Sequence, residues 1–116
     1  MESLLTKALE FSNYKQSLAI QRKMLKEKVD AKLTFGFNGG IFKINRELIN
    51  FVQFLIDQDR ATDVVLIDAN DNPVLVQDLL KFKDEIFDRY FTATNEYYQE
   101  YEVIKKARSV EALVDL

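Results

Sequence analysis

Asp68-Ala69-Asn70-Asp71-Asn72 is the stretch of this chain whose side chains come nearest to a metal-binding pattern. Oxygen-bearing residues at alternate positions open the calcium loop of an EF-hand, which needs glycine at its sixth position and a bidentate glutamate at its twelfth. Those positions hold Pro73 and Leu79, and the flanks alternate as strands do, so residues 68–73 read as a hairpin turn. Gly36, Gly39 and Gly40, the only glycines, fit neither G-x-G-x-x-G nor a P-loop, and hairpin geometry accounts for Gly39 and Gly40. Carboxylates are plentiful at Asp84, Glu85, Asp88, Glu96, Glu100 and Glu102. Neighbours at helical spacing meet the distance a glycosidase dyad requires without any cleft, so spacing alone signals nothing. Glu85 with Arg89 and Glu102 with Lys106 read as surface ion pairs four residues apart.

The chain has no histidine and no cysteine among its 116 residues. That removes the side chain best suited to proton transfer near neutral pH, the thiolate nucleophile and the two commonest transition-metal ligands. The serines at 3, 12, 17 and 109 have no imidazole to activate them. The expectation is a non-enzymatic protein with no catalytic residue, no metal and no cofactor. Apolar residues make up 47% of the chain, an ordinary globular share, and its length suits a single domain spanning 1–116. The start, MESLLTKALEF, lacks the basic flank and unbroken apolar run of a signal peptide, and no stretch approaches the roughly 18 apolar residues of a membrane span. A cytoplasmic location without membrane contact is the expectation.

Five elements follow from periodicity and punctuation, and together they predict an α+β fold. A helix is expected over 3–29, where Leu4, Phe11, Leu18 and Leu25 recur every seven residues. A hairpin is expected over 32–44, because Asn38-Gly39 separates two alternating runs and both residues tolerate positive φ. With those two at the turn, Phe37 faces Gly40, Phe35 faces Phe42 and Leu33 faces Ile44, while Thr34 and Lys43 share the opposite face. Asn45 caps a shorter helix over 46–59, so nearly apolar all round that burial on most sides is expected. VVLI at 64–67 reads as a buried strand and pairs with 74–76 in a second hairpin over 64–76. A third helix over 78–108 has acidic residues near its start and Lys105, Lys106 and Arg108 near its end, with Ser109 available to cap a short final turn. Its apolar stripe includes Leu79, Ile86, Phe87, Tyr90, Phe91, Tyr97, Tyr98, Tyr101 and Ile104.

At 1.5 Å per residue the first and third helices would be roughly 39 and 45 Å long, more than the diameter near 35 Å expected of a compact chain this size. The third helix therefore overhangs or breaks near Thr92–Asn95, and the first is its natural lengthwise partner. The apolar surface left over predicts a homo-oligomer, dimer or higher, with Leu4, Phe11, Leu18, Leu25, Tyr97, Tyr98 and Tyr101 as the interaction residues. Seven aromatics between Phe82 and Tyr101 stand among acidic residues, where packing is a better reading than base stacking. Charge is divided unevenly: residues 1–33 hold seven basic and four acidic groups, the rest nine and fifteen, within a net charge of −3. Such a division steers a basic helix towards another copy's acidic face. The alternative is a nucleic-acid-binding or regulatory accessory protein using the basic stretch 15–32, with Arg22, Lys23 and Lys26 on the phosphates, although the mild net charge argues against a dedicated binder.

Across SLLTKALEFSNYK, FNGGIFKIN, LIDANDNPVLV and NEYYQEYEVIKKARSVEALV, the chain resembles small proteins of T-even-type bacteriophages, including their marine relatives. Within those genomes it is most similar to short proteins associated with head-assembly genes, described as prohead core components. The resemblance covers most of the chain and carries no functional signature, so it assigns no site residue. It implies a structural or scaffolding role in head assembly beside other phage structural proteins, in the host cytoplasm or a virion precursor.

Overall fold

The computed structural model describes residues 2–107 and Val110. The order is α1 (Glu2–Lys32), β1 (Thr34–Phe37), β2 (Gly40–Lys43), α2 (Arg46–Asp57), β3 (Thr62–Ile67), β4 (Pro73–Asp78) and α3 (Leu79–Lys106). This is the expected α+β fold, two long helices and a shorter one with two antiparallel hairpins. The proposed role of Ser109 and the extension of α3 to Arg108 lie outside the described residues. Two compact units make up the chain: Asp30–Thr94 forms one, and the segments before and after it in sequence form the other.

In the unit Asp30–Thr94, turn chemistry fixes the first hairpin. Asn38 and Gly39 have φ of 46° and 82°, the paired left-handed residues of a type I′ turn. The register is the one read from the sequence, with Thr34 opposite Lys43, Phe35 opposite Phe42 and Phe37 opposite Gly40. The Ile44 amide donates to the Leu33 carbonyl at 2.7 Å and extends the pairing by one step. Gly40 has a different reason from Gly39. A Cβ there would lie 2.5 Å from Val74 Cγ2 and 3.2 Å from Asp68 Oδ2, so glycine is what lets the second hairpin approach the first.

Asn45 caps α2 as expected, its Oδ1 accepting the Leu48 amide at 2.9 Å. The helix stops at Asp57, two residues short of the expected end, because Asp59 turns left-handed with φ 59°. The Asp59 amide then donates to Ile56 O and the Arg60 amide to Leu55 O, at 3.0 and 2.8 Å, which is the Schellman closure usually built on glycine. An Asp59→Gly variant should therefore gain about 0.5–1 kcal/mol in urea unfolding, since a β-carbon is disfavoured in this conformation. A loss would show that the Asp59 side chain supplies something the geometry does not reveal. Burial of α2 on most sides is not found: Val52 is enclosed, whereas Phe51 and Phe54 are exposed. One side of the helix suffices to cover this small core.

The second hairpin starts at Thr62, earlier than the expected 64, with Val64 opposite Val76, Val65 opposite Leu75, Leu66 opposite Val74 and Ile67 opposite Pro73. The alternation sends Leu66, Val74 and Val76 inward and leaves Val65, Ile67 and Leu75 outside. Asp63 has φ 53° and does not pair with Gln77, so the ladder is interrupted there. The core centres on Phe82 of α3, one of the aromatics expected to pack but not named in the apolar stripe. Its ring meets Phe37 and Phe42 edge-on at centroid distances of 5.1 and 5.3 Å, and Phe35 at 6.0 Å. Val52, Leu66, Val76, Leu79 and Ile86 close the cluster around it.

The other unit is an antiparallel pair of helical segments. Lys28 meets Glu100, Arg22 lies over the Tyr101 ring at 5.8 Å, and the Tyr14 hydroxyl donates to the Ala107 carbonyl at 3.0 Å. Leu25, Val29, Ile104 and Ala107 are buried between the segments. Helix α1 runs three residues past the expected end, since nothing from Asp30 to Lys32 interrupts it. Helix α3 does not break near Thr92–Asn95: the Thr94 hydroxyl donates to the Tyr90 carbonyl at 2.8 Å and absorbs the polar group within the helix. Its first turn holds no acidic residue; Asp78 sits one position earlier and caps it, Oδ1 accepting the Lys81 amide at 3.1 Å.

Candidate interaction surface

The carboxylate that first suggested a metal has a structural task. Asp68 is buried, and its Oδ1 accepts the amides of Asn70 and Asn72 at 2.9 and 2.8 Å. Its Oδ2 accepts the Ile41 amide at 2.9 Å, and the Ala69 amide returns a bond to the Ile41 carbonyl at 2.8 Å. The turn of one hairpin is thereby fastened to the outward-facing main chain of the other. Donors from Ile41 foremost, then Asn72 and Asn70, hold the Asp68 carboxyl below the usual carboxylate range against the opposing effect of burial. The Asn38 side chain adds a second fastening, donating to the Leu75 carbonyl at 2.9 Å.

The expected ion pairs resolve as follows. Arg89 Nε lies 3.1 Å from Glu85 Oε1, and the guanidinium also covers the Phe35 ring at 4.5 Å. Glu102 meets Lys105 at 4.0 Å, in place of the expected Lys106. Glu100 bonds the Lys28 ammonium at 2.6 Å and raises its pKa, an exposed pair that water screens.

The residues expected to carry contacts separate by environment. Leu25 is buried and Leu18 half-buried in the α1–α3 pair, and Tyr97 and Tyr101 are half-buried. Leu4, Phe11 and Tyr98 are exposed at 70, 60 and 65%. Leu5 and Leu9, not singled out from the heptad count, are as open as these. At 3.6 residues per turn, Leu4, Leu5, Ala8, Leu9 and Phe11 fall within an arc of about 160°, and every residue from Ser3 to Asn13 is exposed. The basic residues Arg22, Lys23 and Lys26 are exposed and continue the same arc further along α1. One side of the helix is thus apolar over its first three turns and basic from Lys15 to Lys26, with Glu27 and Asp30 at its far end. Lys15 joins the two parts, its ammonium 5.1 Å from the Phe11 ring centroid.

A second apolar surface lies on the β3–β4 ribbon. Val65 and Leu75 are direct cross-strand partners, exposed at 56 and 43%, and Ile67, exposed at 61%, pairs with Pro73 beside them. Isolated exposed apolar residues are ordinary, whereas these four lie next to one another on a two-stranded ribbon and make it a candidate contact surface. The burial expected of VVLI holds for Leu66 and not for Val65 or Ile67, because an unbroken apolar run does not reveal which of its faces will be covered. Among the described residues, no helix is long and apolar enough to cross a membrane. Comparison with family models, with curated proteins and with solved structures gave no match to this chain.

Proposed function

We propose that this is a non-enzymatic structural protein that self-associates through its long helices, with head assembly of a T-even-type bacteriophage as the setting implied by the sequence resemblance. The observation that supports it is α1, which carries Leu4, Leu5, Leu9 and Phe11 at 57–70% exposure along one side. Covering a leucine or phenylalanine side chain is worth about 1.5–3 kcal/mol, so this face favours association over solvent. A Phe11→Glu/Tyr98→Glu double variant should abolish self-association. Light scattering at micromolar concentration should show the wild type above 13.6 kDa and the variant at that mass. Equal masses for both would discard the proposal.

The exposed arc of Arg22, Lys23 and Lys26 supports the alternative of a nucleic-acid-binding accessory protein. Binding to DNA or RNA at about 50 mM salt, lost with increasing salt and lost when these three become glutamate, would put that reading first. No binding at that salt would retire it.

A further inference from the structure

We infer that the outer face of the β3–β4 ribbon is the receptor for helix α1 of a second copy, so that self-association runs head to tail. The inference rests on the self-association proposed above and names the surface that receives the helix. Two of the exposed apolar faces among the described residues differ in character. One belongs to α1: Leu4, Leu5, Leu9 and Phe11, followed on the same side by Lys15, Arg22, Lys23 and Lys26. The other belongs to the ribbon: Val65 and Ile67 on β3, Pro73 and Leu75 on β4.

Charge selects the pairing. Residues 61–78 hold four aspartates and no lysine or arginine. Asp68 is turned inward onto three amides and Asp78, although exposed, caps α3; Asp63 and Asp71 are exposed too, one near each end of the apolar face. A basic amphipathic helix complements an apolar face bounded by carboxylates, and α1 is the basic helix this chain supplies. Two copies of α1 laid parallel would set lysine against lysine, and laid antiparallel would set the apolar turns of each against the basic turns of the other; two ribbons would set aspartate against aspartate. The apolar part of the helix, Leu4 to Phe11, rises about 10 Å, enough to span the run of about 7 Å over which the ribbon presents Val65, Ile67, Pro73 and Leu75.

A single contact between two different surfaces leaves one of each unused, so copies add until the assembly closes on itself, as a reciprocal pair or a larger ring, or grows as a filament. That property supplies the test. A helix variant, Leu9→Glu/Phe11→Glu, and a ribbon variant, Val65→Lys/Ile67→Lys, each remove one surface and keep the other. Sedimentation equilibrium should show each variant alone at 13.6 kDa, while an equimolar mixture forms a species of twice that mass and stops there. Should the lysines unfold the ribbon by circular dichroism, Val65→Thr/Ile67→Ser serves in their place, with the same expectation for the mixture. A ribbon variant that keeps the wild-type mass overturns the head-to-tail pairing but leaves self-association standing. A mixture that stays at the single-chain mass overturns it too. Wild-type protein at the single-chain mass overturns both proposals together.

Discussion

Replacing Phe82 with alanine should destabilise the protein by about 3–5 kcal/mol, the usual range for removing a buried aromatic side chain. The ring is 2% exposed and is the common neighbour of Phe35, Phe37 and Phe42, so its loss removes contacts to both strands of the first hairpin at once. Leu66 and Val76 of the second hairpin belong to the same buried cluster. A void of that size can be refilled only by moving strands whose register is already set by a tight turn. Against a total stability of about 5–15 kcal/mol for a small domain, the loss is a large share. It corresponds to a fall in Tm of roughly 10–20 °C. Phe91→Ala is the control, since that ring stands 57% exposed on the same helix and should change stability by under about 1 kcal/mol. Comparable losses for the two variants in urea titrations would show that Phe82 is not the centre of the core.

Asp68→Asn should lower the Tm at pH 7 by about 5–10 °C and should remove part of the pH dependence of folding. The amide keeps one oxygen for Asn70 and Asn72 but turns an NH2 group towards the Ile41 amide, donor against donor. The folded-state carboxyl titrates below its unfolded value of about 3.9, so its stabilisation is complete above that pH and disappears as pH falls through the lower folded value. Thermal melts of wild type and variant from pH 7 down to pH 2 should therefore converge at the acid end. A gap that stayed constant throughout would mean that the carboxylate charge is not what fastens the hairpins.

Local chemistry made the first hairpin legible, because Asn38-Gly39 fixed a turn whose register agreed with the alternation of Phe35, Phe37 and Phe42. The cap at Asn45 was equally local. What escaped the sequence depends on partners far along the chain. Asp68 and Ile41 are 27 residues apart, and nothing near either announces that one will accept the other's amide. Gly40 looked like a turn residue and proved to be a clearance for Val74. Phe82 was hidden by abundance: as one of seven aromatics over residues 82–101, it lies on a helix with several apolar phases, and only the packed strands choose among them. For the interaction surface, the heptad count found the line through Leu4, Phe11, Leu18 and Leu25, but not where it passes from a half-buried Leu18 and a buried Leu25 to an open Phe11 and Leu4. Covering depends on the length of the partner segment, and spacing within α1 carries no information about that.

The interruption at Asp63 and the proline at position 73 bear on how one molecule can recognise another. A two-stranded ribbon has two free margins, and a free margin ordinarily invites a stranger's backbone to zip alongside. Here Pro73 has no amide hydrogen to offer, the Leu75 carbonyl is already taken by Asn38, and the left-handed Asp63 cuts short the straight run of β3. Indiscriminate lateral growth of the kind that ends in fibrils is thereby discouraged. Whatever attaches must be chosen by the shape and charge of side chains, which can tell one neighbour from another in a way that bare peptide groups cannot.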